Sequence, residues 1–502
     1  MSSPSANSDA GKQRHPRGLY TLFFTEMWER FSFYGMRTLL VLFMTATVAE
    51  GGFGFNNAKA TAIYALYMAG VYLSALPGGW IADRLLGQQR AVFYGGIIIA
   101  LGHFTLAIPN ENTFFIGLIL IVIGTGLLKP NTSTLVGDLY PEGGSRRDAG
   151  FSIYYMGINL GAFVGPIICS WLGQKVNWHY GFAAAGVGMV LGLVQYRLML
   201  GSLGDSGRRA MTRFKDAALE ARSRRRSWTA LAAVVAGFAL LIVLGFLGII
   251  HYVPTALNVW ATYFTVALGV GFVLWTLFFG GLNTREKRRL MALSILFVVW
   301  ILFWAGYEQS GSTFNLFAEH YTQLSLFGWH FPAGWFQSEN PLLIITLSPF
   351  FAWLWVWLGR RNLDPSTPLK FALGLIFVGI GFAVMFGAAL IVVTGEKVLP
   401  TWLGLTYLLH TTGELCLSPV ALSATTKLSP RRYGGRLMGT LFLFLAVGEL
   451  LAGLIARQLT ATDVSDMPHI YLELALVITG VGIIMALISK PIQKHLIGKD
   501  VQ

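Results

Sequence analysis

Four ionisable side chains stand inside one long apolar stretch near the start of this 502-residue chain. They occur in the string FTEMWERFSFYGMRTLL and are Glu26, Glu29, Arg30 and Arg37. At about 100° per residue, these four and Tyr34 fall within roughly 140° of the circumference of a helix. A charge facing lipid costs about 2.5–3.5 kcal/mol even on a lenient insertion scale, so this face must contact protein or water. Acids beside bases can hold one another ionised or exchange protons in turn.

Further polar residues interrupt other apolar stretches. The charged ones are Lys129, Glu308, Glu414 and Glu449, and the uncharged ones are Asn159 and Asn340. We expect the first three charged residues to be functional, whereas Glu449 has no obvious partner. For the charges near the start of the chain, a structural ladder of ion pairs is the alternative interpretation, because ion pairs also form where there is no function.

These charges outline an amphoteric cavity. Its basic pole consists of Arg30, Arg37 and Lys129. A zwitterionic solute would place its carboxylate there and its ammonium group against Glu414, because buried charges need partners. Tyr34 and Tyr72 are predicted to form walls that are apolar along the ring and polar at the tip.

The sequence contains no pattern that indicates an enzyme. Metal-ligand spacing, a phosphate-binding glycine loop and a Ser/His/Asp or Cys/His arrangement are all absent, so we predict no catalytic residues, no metal and no cofactor. The two cysteines, Cys169 and Cys416, lie in apolar segments and indicate no disulfide framework. The net charge of +13 does not indicate a nucleic-acid partner, because the basic residues form short clusters between long apolar runs. No obligate protein partner is evident.

The composition indicates a protein of the lipid bilayer. Hydrophobic residues make up 54% of the chain and charged residues 12%, whereas soluble domains have about 25% charged residues. A spanning helix needs about 20 mostly apolar residues, and about fourteen segments qualify. They lie near residues 20–48, 59–84, 90–109, 113–137, 148–172, 178–200, 228–250, 257–281, 290–318, 340–359, 369–394, 399–427, 435–460 and 467–490.

The loop charges predict the orientation. The basic clusters fall in alternate loops, and the opposite loops hold few bases and several acids, which predicts that both termini are cytoplasmic. The final cluster contains Lys494 and Lys499. No apolar segment precedes a cleavage site in the first twenty residues, so a removable signal peptide is not expected. We predict a multi-pass protein of the bacterial cytoplasmic (inner) membrane.

The longest basic stretch divides the chain. We predict a cytoplasmic tail at 1–19, a six-helix bundle at 20–200, a cytoplasmic linker at 201–227, an additional helix pair at 228–281, a second six-helix bundle at 282–493 and a cytoplasmic tail at 494–502. This all-α arrangement of two six-helix bundles plus a two-helix insertion resembles the major-facilitator fold, whose halves rock around a site near the membrane midplane.

Several motifs resemble the proton-dependent oligopeptide transporter family. The string EMWERFSFYGMR contains an ExxER signature. The other similar segments are VYLSALPGGWIADRLLG (71–87), LLKPNTSTLVGDLY (127–140), FSIYYMGINLGAF (151–163), YEQSGS (307–312) and GELCLSP (413–419). A lone ExxER would be unspecific, but these ordered motifs cover nearly the whole chain and both of its halves.

The resemblance implies a bacterial symporter that imports di- and tripeptides by alternating access, with protons as the coupling ion. By motif position, the proton-coupling residues would be Glu26, Glu29, Arg30 and Glu308. Two salt bridges would act as gates, one between Arg37 and Glu308 and one between Lys129 and Glu414. With the tyrosines predicted above, the substrate-binding residues would be Arg30, Tyr34, Arg37, Tyr72, Lys129, Asn159, Asn340 and Glu414.

The sequence departs from the family pattern in three places. Phe33 precedes Tyr34 where two adjacent tyrosines are common, and Leu441 stands where a tryptophan is common. Because of both changes, the sequence leaves open which side chains of the substrate are preferred. The second predicted helix also lacks the histidine of mammalian relatives, which shifts the proton role onto the glutamates.

Two alternative functions stay open. A drug–proton antiporter of the same superfamily would fit the glycine and proline spacing of GINLGAFVGP (157–166), although exporters of lipophilic cations rarely need three bases near the site. A substrate-binding membrane receptor is the second alternative, although the chain has no appended soluble domain to support it.

Overall fold

Nearly all of the chain is helical. The computed structural model describes residues 15–141, 144–212, 214, 216–326, 328–461 and 463–498. Most of the predicted tail at 1–19 lies outside the described residues, as does the end of the tail at 494–502, including Lys499. The helices are α1 (Arg17–Thr45), α2 (Asn57–Ile81), α3 (Gln88–Leu106), α4 (Glu111–Asp138), α5 (Gly144–Trp171), α6 (Trp178–Met199), α7 (Ala217–Phe246), α8 (Pro254–Phe279), α9 (Thr284–Tyr307), α10 (Thr313–Tyr321), α11 (Glu339–Arg360), α12 (Thr367–Val393), α13 (Pro400–Leu428), α14 (Gly434–Ala461) and α15 (Met467–Pro491).

The helices have the lengths expected of membrane spans. α9 and α10 form one interrupted span, so the described residues contain fourteen long helical segments. Eleven of them are long and apolar enough to cross a membrane; the others are α1, with its charged stripe, α3 and α13. The predicted all-α membrane architecture with about fourteen helices is confirmed. Short antiparallel strands β1 (Ser325–Leu326) and β2 (Trp329–His330) form a hairpin between α10 and α11.

The segment before α7 differs from the sequence-based expectation. α7 begins at Ala217, so the end of the predicted linker 201–227 is helical. The side chain of Asp216 caps the helix by accepting hydrogen bonds from the backbone amides of Ala218 and Leu219. The stretch AALEARSRRR is rich in strong helix formers, so helix propensity extends the spanning segment toward its N-terminus.

The helices pack into two groups. In the first, α1 packs on α5 and α6, α3 packs on α4 and α6, and α2 packs on α4. In the second, α12 packs on α13 and α15, and α14 packs on α9. We call these groups the first bundle (α1–α6) and the second bundle (α9–α15). The bundles meet along two seams, one between α2 and α14 and the other between α5 and α11.

Glycines allow the closest helix contact within the first bundle. A Cβ atom at Gly161 would lie 2.0 Å from the carbonyl oxygen of Met27, and one at Gly165 would lie 2.4 Å from that of Phe31. Only glycine permits α5 to approach α1 this closely. The charged face of α1 is thereby held at a fixed distance from α5.

The hydrogen bonds between the bundles lie in one half of the membrane. We call the side where α1 begins the terminal face and the side of the α1–α2 loop the distal face. Within the described residues, the side-chain hydrogen bonds that join the bundles link the distal half of α1 and α5 to the segment 308–338. Two examples are Thr38 with the carbonyl oxygen of Gly334, at 3.0 Å, and Trp335 with that of Ile167, at 3.1 Å. The structure is therefore closed at the distal face.

Candidate substrate and proton site

The interruption of the α9–α10 span positions the first functional side chain. α9 ends at Tyr307, a single 3₁₀ turn covers Glu308–Gly311, and Ser312 leaves helical geometry with φ −122° and ψ −89°. The sequence YEQSGS explains the break, because serine and glycine favour turns over helix interiors. A Cβ atom at Gly311 would lie 2.8 Å from Nη2 of Arg37. Glycine at this position therefore lets α1 approach the turn.

Arg37 and Glu308 form a buried ion pair across the bundles. Nη2 of Arg37 lies 2.5 Å from Oε2 of Glu308, and the two residues are 5% and 2% exposed. Nε of Arg37 donates to the hydroxyl oxygen of Tyr64 on α2, at 2.6 Å. Arg37 also approaches the hydroxyl oxygen of Ser310, at 3.4 Å. This predicted salt bridge is present in the structure and belongs to the closed distal face.

Arg30 pairs with two carboxylates of its own helix. Its guanidinium group contacts both oxygens of Glu29, with Nη2 2.7 Å from Oε1. Nε also lies 3.3 Å from Oε1 of Glu26, one turn earlier. All three side chains are buried. The acids outnumber the base, so this cluster can accept a proton and still keep an ion pair.

Two hydroxyl groups hold Glu26 in place. Thr132 of α4 and Tyr154 of α5 donate to Oε2 of Glu26, at 2.9 Å and 2.8 Å. The oxygen atoms of these two hydroxyl groups are also 2.8 Å apart. Because α1, α4 and α5 all belong to the first bundle, the whole cluster around Arg30 moves as part of that bundle.

Lys129 and Glu414 line the space between the bundles without touching each other. Nζ of Lys129 lies 4.6 Å from the centre of the Tyr72 ring, which is a cation–π contact. Oε2 of Glu414 accepts hydrogen bonds from Tyr307, at 2.7 Å, and from Asn340, at 3.0 Å. No ion pair joins Lys129 to Glu414 among the described residues. The second predicted gating bridge is therefore absent from this conformation.

The remaining predicted residues lie on helices that border the same space. Tyr34 is half-buried, and its ring lies 5.6 Å from the guanidinium carbon of Arg37 and 6.0 Å from that of Arg30. Asn159 is buried on α5 and donates to the backbone carbonyl oxygen of Tyr155, at 2.9 Å. Tyr155 is 46% exposed although it lies within electrostatic reach of Glu414 of the other bundle. α5 and α13 are therefore not closely packed at this level.

Phe33 and Leu441, the two aromatic departures from the family pattern, both lie in contacts that the structure describes. The guanidinium carbon of Arg30 lies 4.9 Å from the centre of the Phe33 ring, so a hydroxyl-free face covers this charge. Leu441 is buried, and its carbonyl oxygen accepts a hydrogen bond from the indole of Trp300, at 3.2 Å. Trp300 thus links α9 to the backbone of α14 at the position of this departure.

Four hydroxyl-bearing partners were not predicted from the sequence as site residues. They are Tyr64, Thr132, Tyr154 and Tyr307. All except Tyr64 lie in motif segments that we quoted for other residues. Tyr64 shares the spacing of a helical face with Tyr67 and Tyr72, three and eight residues later. That tyrosine spacing on α2 could have indicated Tyr64 as a candidate site residue.

The site has charged groups of both signs, which suit a zwitterion. Within the ranges that the structure describes, no group of three His, Cys, Asp or Glu side chains could hold a metal ion. The space between the bundles is bordered by the cationic side chain of Lys129 on α4 and the acidic side chain of Glu414 on α13. Buried acids and bases surround it. This arrangement can bind a solute of both charges and respond to protons.

Two helical bundles with apolar spans, joined at one face by a buried ion pair and bordered by charged side chains of both signs, are the architecture of a membrane transporter. The sequence pattern of the POT family matches residues 89–206 and 260–471. The chain belongs to the POT family. It is an integral membrane protein and not an enzyme.

Relatives and solved structures resemble the chain over almost its full length. The peptide transporter YePEPT of Yersinia enterocolitica is 39% identical, over 98% of this chain and 97% of its own. A di-/tripeptide transporter of Lactococcus lactis is 38% identical, over 95% and 96%. The crystal structure of a variant peptide transporter POT in complex with alafosfalin has a TM-score of 0.88 at 40% identity and covers 97% of each chain. The predicted family and major-facilitator fold are confirmed.

Proposed function

We propose that the protein imports di- and tripeptides together with protons across the bacterial cytoplasmic membrane, with its terminal face toward the cytoplasm. Peptide transport is the activity that the relatives' names share. The observation that carries the coupling proposal is the buried Arg37–Glu308 ion pair. It joins the bundles at the closed face and contains a carboxylate that can take up a proton.

The peptide would lie between Lys129 and Glu414. Its carboxylate would approach Lys129 and the neighbouring guanidinium groups, and its ammonium group would approach Glu414. Tyr307 and Asn340 donate to Glu414, which leaves the other carboxylate oxygen for the peptide. Main-chain termini are common to all short peptides, so this arrangement accepts many side chains.

The two gating pairs would alternate. In the conformation described, Arg37 and Glu308 close the distal face, while Lys129 and Glu414 are apart. Protonation of Glu308 removes its charge and weakens the pair with Arg37, which allows the distal face to open. Closure of the terminal face would then bring Lys129 toward Glu414. Peptide and proton binding from outside and release inside complete the cycle.

The test is uptake of labelled dialanine by proteoliposomes, with and without an inward proton gradient and a negative interior. We expect accumulation only with the gradient, reduced by other dipeptides and not by free alanine. Equal uptake with and without the gradient would contradict proton coupling. A protein that binds dipeptides yet moves none across the membrane would instead be a receptor.

A further inference from the structure

Glu449 has no role in the site described so far. It lies on α14 at the seam between α2 and α14, between two packed neighbours. Gly448 packs against Trp304 of α9, and Leu450 belongs to an apolar cluster with Ala69 of α2. Glu449 itself is 0% exposed. Its carboxyl group is thus enclosed by the first and second bundles.

Neither oxygen of this carboxyl group has a hydrogen-bond partner among the described residues. No ion pair in that part of the chain includes Glu449 either. A buried carboxylate that is ionised and has no hydrogen-bond or ion-pair partner is far more costly than a neutral one. The geometry alone favours the protonated form.

The count of buried charges supports the same conclusion. Within the described residues, the buried acids are Glu26, Glu29, Glu308 and Glu449, and the buried bases are Arg30 and Arg37. The acids exceed the bases by two, and the half-buried Lys129 offsets only one of these charges. At least one buried carboxyl group therefore carries a proton if the cluster is neutral. Glu449 is the acid that would lose no ion pair by carrying it.

The groups that face Glu449 show what it can do when it is ionised. They are Arg37 from α1, Tyr64 and Tyr72 from α2, Lys129 from α4 and Glu308 from the turn after α9. α8 also packs against α14, but it presents no charged group to this position. Arg37 interacts with both Glu308 and Glu449, so it has two carboxyl groups within electrostatic reach.

We propose that Glu449 is a second proton-binding site and the alternative counter-ion of Arg37. In the conformation described, Glu449 holds a proton while Glu308 is paired with Arg37. When Glu308 takes up a proton from the distal side, Glu449 releases its own proton toward the terminal face, and its carboxylate becomes the counter-ion of Arg37. One proton enters as another leaves on the opposite side, so the buried charge stays constant and one proton crosses the membrane. This inference rests on the proposed proton coupling through Glu308.

Infrared spectroscopy tests the protonation of Glu449 without any transport. We expect the carbonyl stretching band of a protonated carboxyl group in the wild-type protein, and its loss in Glu449→Gln. Glu449→Asp should restore the band at a shifted frequency. A wild-type spectrum that Glu449→Gln leaves unchanged would overturn the proposal.

Glu50→Gln is the matched control for this measurement. Glu50 lies in the exposed loop between α1 and α2 and forms a capping box with Thr47. Hydrogen bonds from the backbone amide and the hydroxyl group of Thr47 lower the pKa of Glu50 below its ordinary value. Its carboxylate stays ionised near neutral pH, so its removal should not change the band.

A double-mutant cycle tests the exchange itself. Peptide counterflow should fall but remain measurable in Glu308→Gln, because Glu449 can still compensate Arg37. In the Glu308→Gln/Glu449→Gln variant we expect a loss at least about tenfold larger than the product of the single effects, as for residues that share one partner. Independent effects would overturn the shared role of Arg37. If accumulation of dialanine by the wild-type protein did not depend on the proton gradient, the proposed function would be wrong. The infrared band would still show whether Glu449 is protonated.

Discussion

The two guanidinium groups of α1 are compensated in opposite ways. Arg30 takes both of its carboxylates, Glu26 and Glu29, from its own helix, and the supporting hydroxyl groups belong to the same bundle. Arg37 takes its carboxylate, Glu308, from the other bundle. Movement of one bundle against the other can leave the first cluster intact but must break the second pair. Under the proposed mechanism, the Arg30 cluster can therefore hold a proton within one bundle, whereas the Arg37–Glu308 pair can act as a gate between the two bundles.

The largest effect should come from removing Arg37. Arg37→Gln leaves Glu308 buried without its partner, which should lower the free energy of unfolding by about 3–5 kcal/mol. Arg37→Gln/Glu308→Gln should recover most of this loss, because neither charge remains. Thermal unfolding of the purified variants measures both. A double variant no more stable than Arg37→Gln would show that the unpaired carboxylate is not the cause.

Glu29→Gln should abolish the coupling of peptide transport to protons while peptide exchange across the membrane continues. Arg30 keeps Glu26, so we expect the free energy of unfolding to fall by only about 1–2 kcal/mol, as for one lost charged hydrogen bond. Gradient-driven accumulation of dialanine should fall at least about tenfold, while peptide counterflow persists. Glu50→Gln, at an exposed site, serves as the control. Uphill accumulation at the wild-type level would remove Glu29 from the coupling mechanism.

Glu414→Gln should weaken binding rather than coupling. One charge-assisted hydrogen bond to the peptide ammonium group is worth about 1.5 kcal/mol, so the KM for dialanine should rise roughly tenfold. Competition by N-acetyl-dialanine, which has no ammonium group, should change little between the wild type and the variant. Equal loss of affinity for both peptides would place the ammonium group elsewhere.

The smallest effect should come from Tyr154→Phe. This change removes one of the two hydroxyl groups that hold Glu26, while Arg30 and Thr132 remain. A single hydrogen bond contributes about 1 kcal/mol. We expect a change of that size in the free energy of unfolding, with counterflow retained. Tyr155→Phe, at the exposed neighbouring position, is the matched control, and an equal effect there would assign the loss to general packing.

The sequence is sufficient to predict the helices and to select candidate site residues. Apolar segment lengths predict the membrane spans. The cost of charges in lipid selects Arg37, Lys129, Glu308 and Glu414 as candidates without any structure. The start of α7 at Ala217 was not predicted, because periodicity locates apolar segments and is insensitive to a polar helical extension.

The pairing of the site residues could not be read from the sequence. Helical periodicity placed Arg30 and Arg37 on one face of α1, yet one pairs within a bundle and the other between bundles. That choice depends on helix rotation and on the neighbouring helices. Tyr64 completes the Arg37 site from α2. Its spacing with Tyr67 and Tyr72 indicates a shared helix face but not the partner that it contacts. The separation of Lys129 from Glu414 depends on the conformational state, which the sequence does not specify.

α8 belongs to neither bundle, yet it touches both. It packs against α2 of the first bundle and against α14 of the second, alongside the seam that encloses Glu449. Among the described residues, the other seam, between α5 and α11, has no such inserted helix. We therefore expect a rotation of the two bundles to be more restricted at the α2–α14 seam, with the wider separation at the α5–α11 seam.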